Sequence, residues 1–338
     1  MNDLGPSQSL GNTFSSESWE YANAFADSLG RPPTSITYLV RTLLASEGQA
    51  PDVISRDCAM SLTRFLKSGA FRAPYFHAVS MLRPERLREE RRPFLTNHFI
   101  EAFSPTEHAI LAALMFMHRM AARKADASLI KATTERLQRT LNLGWFVGLA
   151  LEPVGREVGM LVGGVRWLGL LPLVRHDRDG LRTYLKRLKR SDDAIADACY
   201  ETEMWGCASV QIALLLLQRF GFSTQRINPL MRALTTTTTL LDSVEPIERA
   251  YRVAEIWIRY MLESRSSPSV PMQAAYYLGV DRINEIAECV LRGVGSPVFN
   301  WLSAVPGDLT PESAPQLVSG DTCEDPSLTP PTHDGESL

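Results

Sequence analysis

The sequence predicts an all-α protein, and three observations carry that prediction. Apolar residues recur three and four apart in segment after segment, the spacing of one helix face. Serine, proline and glycine stand where those segments begin and end. No stretch of useful length alternates apolar and polar residues as a half-buried strand does. With 338 residues, 45% of them hydrophobic, the chain can bury one large core or two modest ones.

Residues 1–17 are polar and rich in Ser, Asn and Gly, the composition of a disordered N-terminus, so order is expected from about Trp19. Pro32 and Pro33 open a helix over 35–45, with Ile36, Leu39, Val40, Leu43 and Leu44 on one face. A second helix runs over 52–67 and stops at Ser68-Gly69. Residues 83–93 are mostly charged and read as a solvated face or loop. Ser104-Pro105 starts a strong helix over 106–124. Helices are then expected over 129–141, 143–151 and 158–171, the last two apolar nearly all round and hence buried. Residues 180–190 make a basic amphipathic helix with Leu181, Tyr184, Leu185 and Leu188 on its apolar face. Helices over 192–204 and 208–220 follow, the second closed by Gly221. After the threonine run 235–239, residues 246–263, 271–279 and 281–292 complete the set. Residues 303–338 hold no Lys or Arg but seven acids, and the six prolines from 306 onward; they read as an acidic disordered tail that buries too little to offset its ordering entropy.

Charge and cysteines narrow the function classes. A net charge of −3 gives no general reason to expect nucleic acid or an anionic membrane as partner. The basic stretch 175–190 has one interleaved aromatic, Tyr184, and acids on both sides, so it reads as a solvated helix. The five cysteines include no Cys-x-x-Cys pair and are odd in number, which points to free thiols in a reducing compartment. No basic region followed by an apolar run opens the chain, so no secretory signal is read. Residues 158–174 are apolar but carry Arg166 and end near Pro172, which favours a buried helix over a membrane span. The cytoplasm is the expected location.

Residues 158–171, VGMLVGGVRWLGLL, hold the frame Gly-x-x-His-Asp-x-Gly with Gly163 and Gly169 in place but Arg166 and Trp167 where the His-Asp pair would stand. Other segments fall in a consistent order around it. They are Asp57-x-x-Met60 with Gly69-Ala-Phe71, Gly206-Cys-Ala-Ser209 through Ala213, Leu215–Phe222, Arg252–Trp257, and Leu278-Gly-Val-Asp281. In this order and spacing the chain resembles the HDOD family over roughly 31–302, a relative of the HD-domain metal-dependent phosphohydrolases. The resemblance implies an HD-domain-like helical fold over 18–302, with an N-terminal helical lobe (18–100) and an HD-like lobe (101–302). It also implies a bacterial regulatory protein, of a kind not enzymatic as a class.

An HD phosphohydrolase holds its metal with imidazoles and carboxylates from separate helices, and the metal acidifies a bound water. Carried over position by position, the first His of the frame falls on His108, the His-Asp pair on Arg166 and Trp167, and a later His on Ser209. A further His pair falls in 234–236, and the last Asp near Glu255. An arginine at a ligand position repels a cation, so no metal, cofactor or catalytic residue is expected. His176-Asp177 is a literal His-Asp pair, but it lies out of frame in a polar turn. His108 on an apolar helix reads as a satisfied core histidine, and no Gly-x-Ser-x-Gly or P-loop sequence is present.

Arg166 is the oddity, because a guanidinium keeps its charge and so must be paired or reach water. The plainer reading is an ion pair, with Glu255 as the partner; the sharper one is an anion pocket in which Arg166 grips a phosphate or carboxylate. The expected function is therefore a non-catalytic signalling or scaffold protein that binds protein partners. The alternatives are a degenerate domain binding a small anionic ligand or nucleotide through Arg166, and a residual phosphohydrolase. A secreted effector rests on the Ser-rich N-terminus alone.

Overall fold

The first helix, α1 (Ser16–Leu29), begins where the Ser15 hydroxyl accepts the Ser18 N–H at 3.1 Å. That serine cap starts the helix three residues before Trp19, inside the segment read from sequence as a disordered terminus. The computed structural model describes residues 14–46, 54–84, 86, 96–123, 125–151, 154–190, 197–235, 244–262 and 301–303. Every regular element among them is helical, as expected. The tail from 304, the segments 271–279 and 281–292, and most of 83–93 lie outside the described residues.

Helix α2 (Thr34–Ala45) follows the two prolines, and α3 (Arg56–Leu66) is capped by the Ser55 hydroxyl on the Cys58 N–H. Ser68-Gly69 ends α3 as read, but Gly69 also opens α4 (Gly69–Leu82), which carries Pro74 in its interior. Burial of Phe71, Tyr75 and Phe76 offsets the cost of that proline. A short α5 (Thr96–Glu101) leads to α6 (Pro105–Ala122), which has Pro105 in its first turn. Ser104 and Glu107 there form a reciprocal capping box.

The segments 129–141 and 143–151 are not two helices. They form one, α7 (Ala127–Ala150), capped by Asp126. Gly144, inside the second of those segments, is where another backbone comes close. Helix α8 (Arg156–Leu170) lies antiparallel on α7, with Gly144 facing Gly159, Gly148 facing Gly155 and Thr140 facing Gly163. A Cβ on Gly144 would stand 2.0 Å from the Gly159 carbonyl oxygen, and one on Gly159 would stand 1.9 Å from that of Gly144. Helix α8 is pressed on a further side too, because a Cβ on Gly169 would stand 1.8 Å from the Ser209 carbonyl oxygen. These glycines are contact surfaces between backbones.

Next come the single turn α9 (Leu173–His176) and the amphipathic α10 (Arg178–Arg190), which buries Leu181, Tyr184, Leu185 and Leu188 as read. Then α11 (Ala198–Trp205), α12 (Ser209–Phe220), α13 (Thr224–Thr235) and α14 (Pro246–Leu262) follow. Gly221 closes α12 at φ 108°, a left-handed position that glycine takes without strain. Helix α13 was not foreseen; its Pro229 and flanking threonines hide an apolar face of Ile227, Leu230, Met231 and Leu234. A 3-10 turn (Trp301–Ser303) packs on α4 and α7, with the buried Trp301 indole donating to Asn142 at 3.3 Å.

Helices from either side of residue 100 pack together. Helix α1 packs on α12 and α2 on α6, and Ser18 donates to Gln211 at 2.9 Å. The buried apolar residues form one contiguous cluster from Trp19 to Leu302. One stretch among the described residues, Arg156–His176, is long and apolar enough to cross a membrane, and 89% of its most apolar window is buried inside the protein.

Candidate functional site

Helix α8 is apolar on every face beyond its first turn, apart from Arg166 and the indole of Trp167. Close packing leaves its charged side chain one way out, toward α13 and α14. There Arg166 Nη2 donates to Glu255 Oε1 at 3.0 Å and Nε to the same oxygen at 3.3 Å. Nη2 also donates to the Leu234 carbonyl at 3.0 Å. Both side chains are only 10% exposed, so the expected pairing of Arg166 with Glu255 is present and buried. The Leu234 carbonyl belongs to the last turn of α13, where orphan carbonyls await donors.

A second carboxylate stands behind the first. Glu201 on α11 is fully buried and accepts the Tyr184 hydroxyl at 2.5 Å and the Ser209 N–H at 2.6 Å. The Asp197 N–H donates to the Tyr184 oxygen at 3.0 Å, which leaves the phenol proton for Glu201. Burial pushes the Glu201 carboxyl above its usual range, against the bonds from Tyr184 and Ser209 and the charge of Arg166. Burial works against the Arg166 charge as well, but Glu255 and Glu201 outweigh it and hold the guanidinium above its usual value. Burial and the Glu201 charge push the nearby Cys207 thiol up to about 12, so Cys207 is no nucleophile at neutral pH.

The structure brings together Arg166, Trp167 and Glu255, with the Ser209 peptide reached through Glu201. The first three border a cleft between α7, α8 and α14 that also includes Thr140 and Gly163. Its volume, about 20 Å³, is room for one water and not for a phosphate. Arg136 on α7 lies 5.7 Å over the Trp167 ring, so the indole is held between helices.

His108 lies elsewhere. Its neighbour Glu107 meets Arg156 at the start of α8, whereas Arg166 is ten residues further along, about 15 Å. The His108 Nε2–H donates to the Ile100 carbonyl at 2.9 Å, and Nδ1 accepts the Tyr75 hydroxyl. The ring is packed by Tyr75 and Phe103, and burial lowers its pKa to about 4. With both nitrogens engaged, His108 is a neutral core residue. His176 is exposed, and Asp177 accepts the Trp205 indole N–H at 2.8 Å and the Gly180 N–H at 3.0 Å, a cap for α10. Among the described residues no three His, Cys, Asp or Glu side chains converge as a metal set would. Leu234 and Thr235 offer only apolar and hydroxyl side chains, and Thr236 lies outside the described residues.

Sequence reasoning missed Glu201 and Tyr184. Tyr184 was assigned to an apolar helix face, which it does occupy. Nothing in the chain distinguishes Glu201 from Glu203 two residues on, yet the first is buried and the second exposed. Comparison with protein-family models, with curated proteins and with solved structures finds no match.

Proposed function

We propose that this chain is a non-catalytic regulatory protein of HDOD type, bacterial and cytoplasmic, that works by binding other proteins through its helical surfaces. The observation supporting this reading is the buried Arg166–Glu255 pair. It joins two positions of the frame that the sequence resembles, and it neutralises a carboxylate that could otherwise serve a metal. Three of the frame positions hold a guanidinium, an indole and the serine of a helix start, none of which suits a divalent cation, and His108 stands apart from them with both ring nitrogens engaged. The anion-pocket reading is weaker, because two of the three guanidinium nitrogens already bond inside the protein and the cleft holds no more than a water.

The test is a melting series on the full chain with Mn²⁺, Mg²⁺ and a panel of nucleotides, paired with a phosphodiesterase assay. The expected result is an unchanged melting temperature and no turnover. A ligand present at a hundred times its Kd would add about 2.7 kcal/mol of stability, a shift easily seen. Stabilisation by a nucleotide that Arg166→Met abolishes would establish the anion pocket, and metal-dependent turnover would establish a hydrolase.

A further inference from the structure

Positive charge is concentrated on one helix. All 35 Lys and Arg precede residue 303, together with 31 of the 38 acids, an excess of four. Helix α10 by itself holds six Lys and Arg and one Asp, an excess of five. Its Leu181, Tyr184, Leu185 and Leu188 are buried, which leaves Thr183, Lys186 and Arg187 on the exposed face. A cleft of about 370 Å³ lies there, bordered by those three residues and by Tyr200 of α11. The Arg187 guanidinium lies 3.9 Å over the Tyr200 ring, which stacks on the buried Tyr184 at 6.0 Å. Arg187 also donates to Asp197 at 3.3 Å, and Arg182 to Asp179 at 2.6 Å. Exposed ion pairs of this kind hold their partners weakly. Unlike the cleft at Arg166, this one has room for a carboxylate side chain with its waters.

We propose that the acidic stretch of this same chain around Asp321, Glu324 and Asp325 docks in the cleft between α10 and α11. Charge complementarity is the first support, since the segment beyond 303 has seven acids and no Lys or Arg. Reach is the second. Trp301 is bonded to Asn142 of α7, and Arg182 of α10 meets Asp126, the cap of that same helix, at 3.5 Å. The sixteen residues between Asp126 and Asn142 span about 24 Å. Asp308, five residues beyond Ser303, extends at most about 18 Å and falls short. Asp321, eighteen residues beyond, extends up to about 60 Å, enough to pass along α7 and one further turn to Lys186. Tethering supplies an effective concentration on the order of millimolar, so weak ion pairs suffice to populate the contact.

The contact has a consequence for partners. An acidic segment of another protein would have to displace the chain's own before using this face. That consequence rests on the protein-binding role proposed above; the contact itself does not.

The deciding experiment is zero-length carbodiimide cross-linking of the full chain at low salt, with peptide mapping of the monomer. An amide then forms only where an ammonium and a carboxylate touch. Lys186 should be joined to Asp321, Glu324 or Asp325. Lys131, 75% exposed on α7 and nearer to Asn142, is the control within the same molecule. Its links to those acids should be rarer by roughly tenfold, the margin that a specific ion-paired site gives over chance encounter. The Lys186 link should fade in 1 M salt, where the screening length falls to about 3 Å. Arg187→Glu should weaken it as well, and so should Thr183→Glu at its exposed position; both leave the linking groups in place. Equal labelling of Lys186 and Lys131, a Lys186 link that salt and both variants leave unchanged, or links only between two molecules would overturn the proposal.

Discussion

Replacing Arg166 by Ala should cost about 3–5 kcal/mol of folding stability, measured by chemical denaturation, because it orphans a buried carboxylate. Glu255 keeps its place on α14 in that variant, loses both guanidinium bonds and cannot turn to water. The Leu234 carbonyl loses its donor as well. The pair as a whole is worth far less than this, since desolvating two charges consumes most of their attraction. The double variant Arg166→Met with Glu255→Leu should therefore recover most of the loss. A cost below about 1 kcal/mol for Arg166→Ala would mean that Glu255 finds solvent and that the pair is not buried in solution.

The larger effect is expected at the α7–α8 seam. Gly159→Ala should prevent folding or cost more than about 4 kcal/mol, the range reached only by severe core defects. Its added methyl would sit 1.9 Å from a backbone oxygen, and no rotamer can move it away. Gly164→Ala is the control. Five residues on, its methyl would meet the flexible ends of Leu141, Leu137 and Leu114, at 3.5, 3.7 and 4.0 Å. There the gain in helix propensity should stabilise the protein by about 0.4–1 kcal/mol. Equal effects at the two glycines, read from thermal melts of the two variants, would contradict the seam.

These two predictions mark what was legible in the sequence and what was not. The helices and their stops were readable because period, cap and glycine are local signals: Ser104-Pro105, the 246–263 stripe and Gly221 all fall where the structure has them. The seam was not readable as such. Gly144 inside an apolar run looks the same whether the chain turns there or a second backbone approaches. The choice depends on Gly159, fifteen residues away. Arg166 announced its need for a partner, since no guanidinium goes unpaired into such a helix, and the frame nominated Glu255. Glu201 gave no signal, because burial of one acid in a polar helix is decided by the helices packed over it.

The same seam explains why Trp167 stands where it does. Glycines four residues apart on both helices make the contact self-similar under a slide of one turn, about 6 Å. After such a slide Gly144 would face Gly163 and Gly148 would face Gly159, and the backbones could still touch. Two positions lift that degeneracy. Thr140, which now meets Gly163, would meet Trp167, and an indole cannot enter a gap sized for a hydrogen atom. Arg166 would be carried a full turn from Glu255 and the end of α13. The bulky pair in the middle of a glycine-spaced helix thus acts as an index stop. It selects one register from a ladder of near-equivalent ones and denies the hairpin the ratchet motion that evenly spaced small residues would otherwise allow.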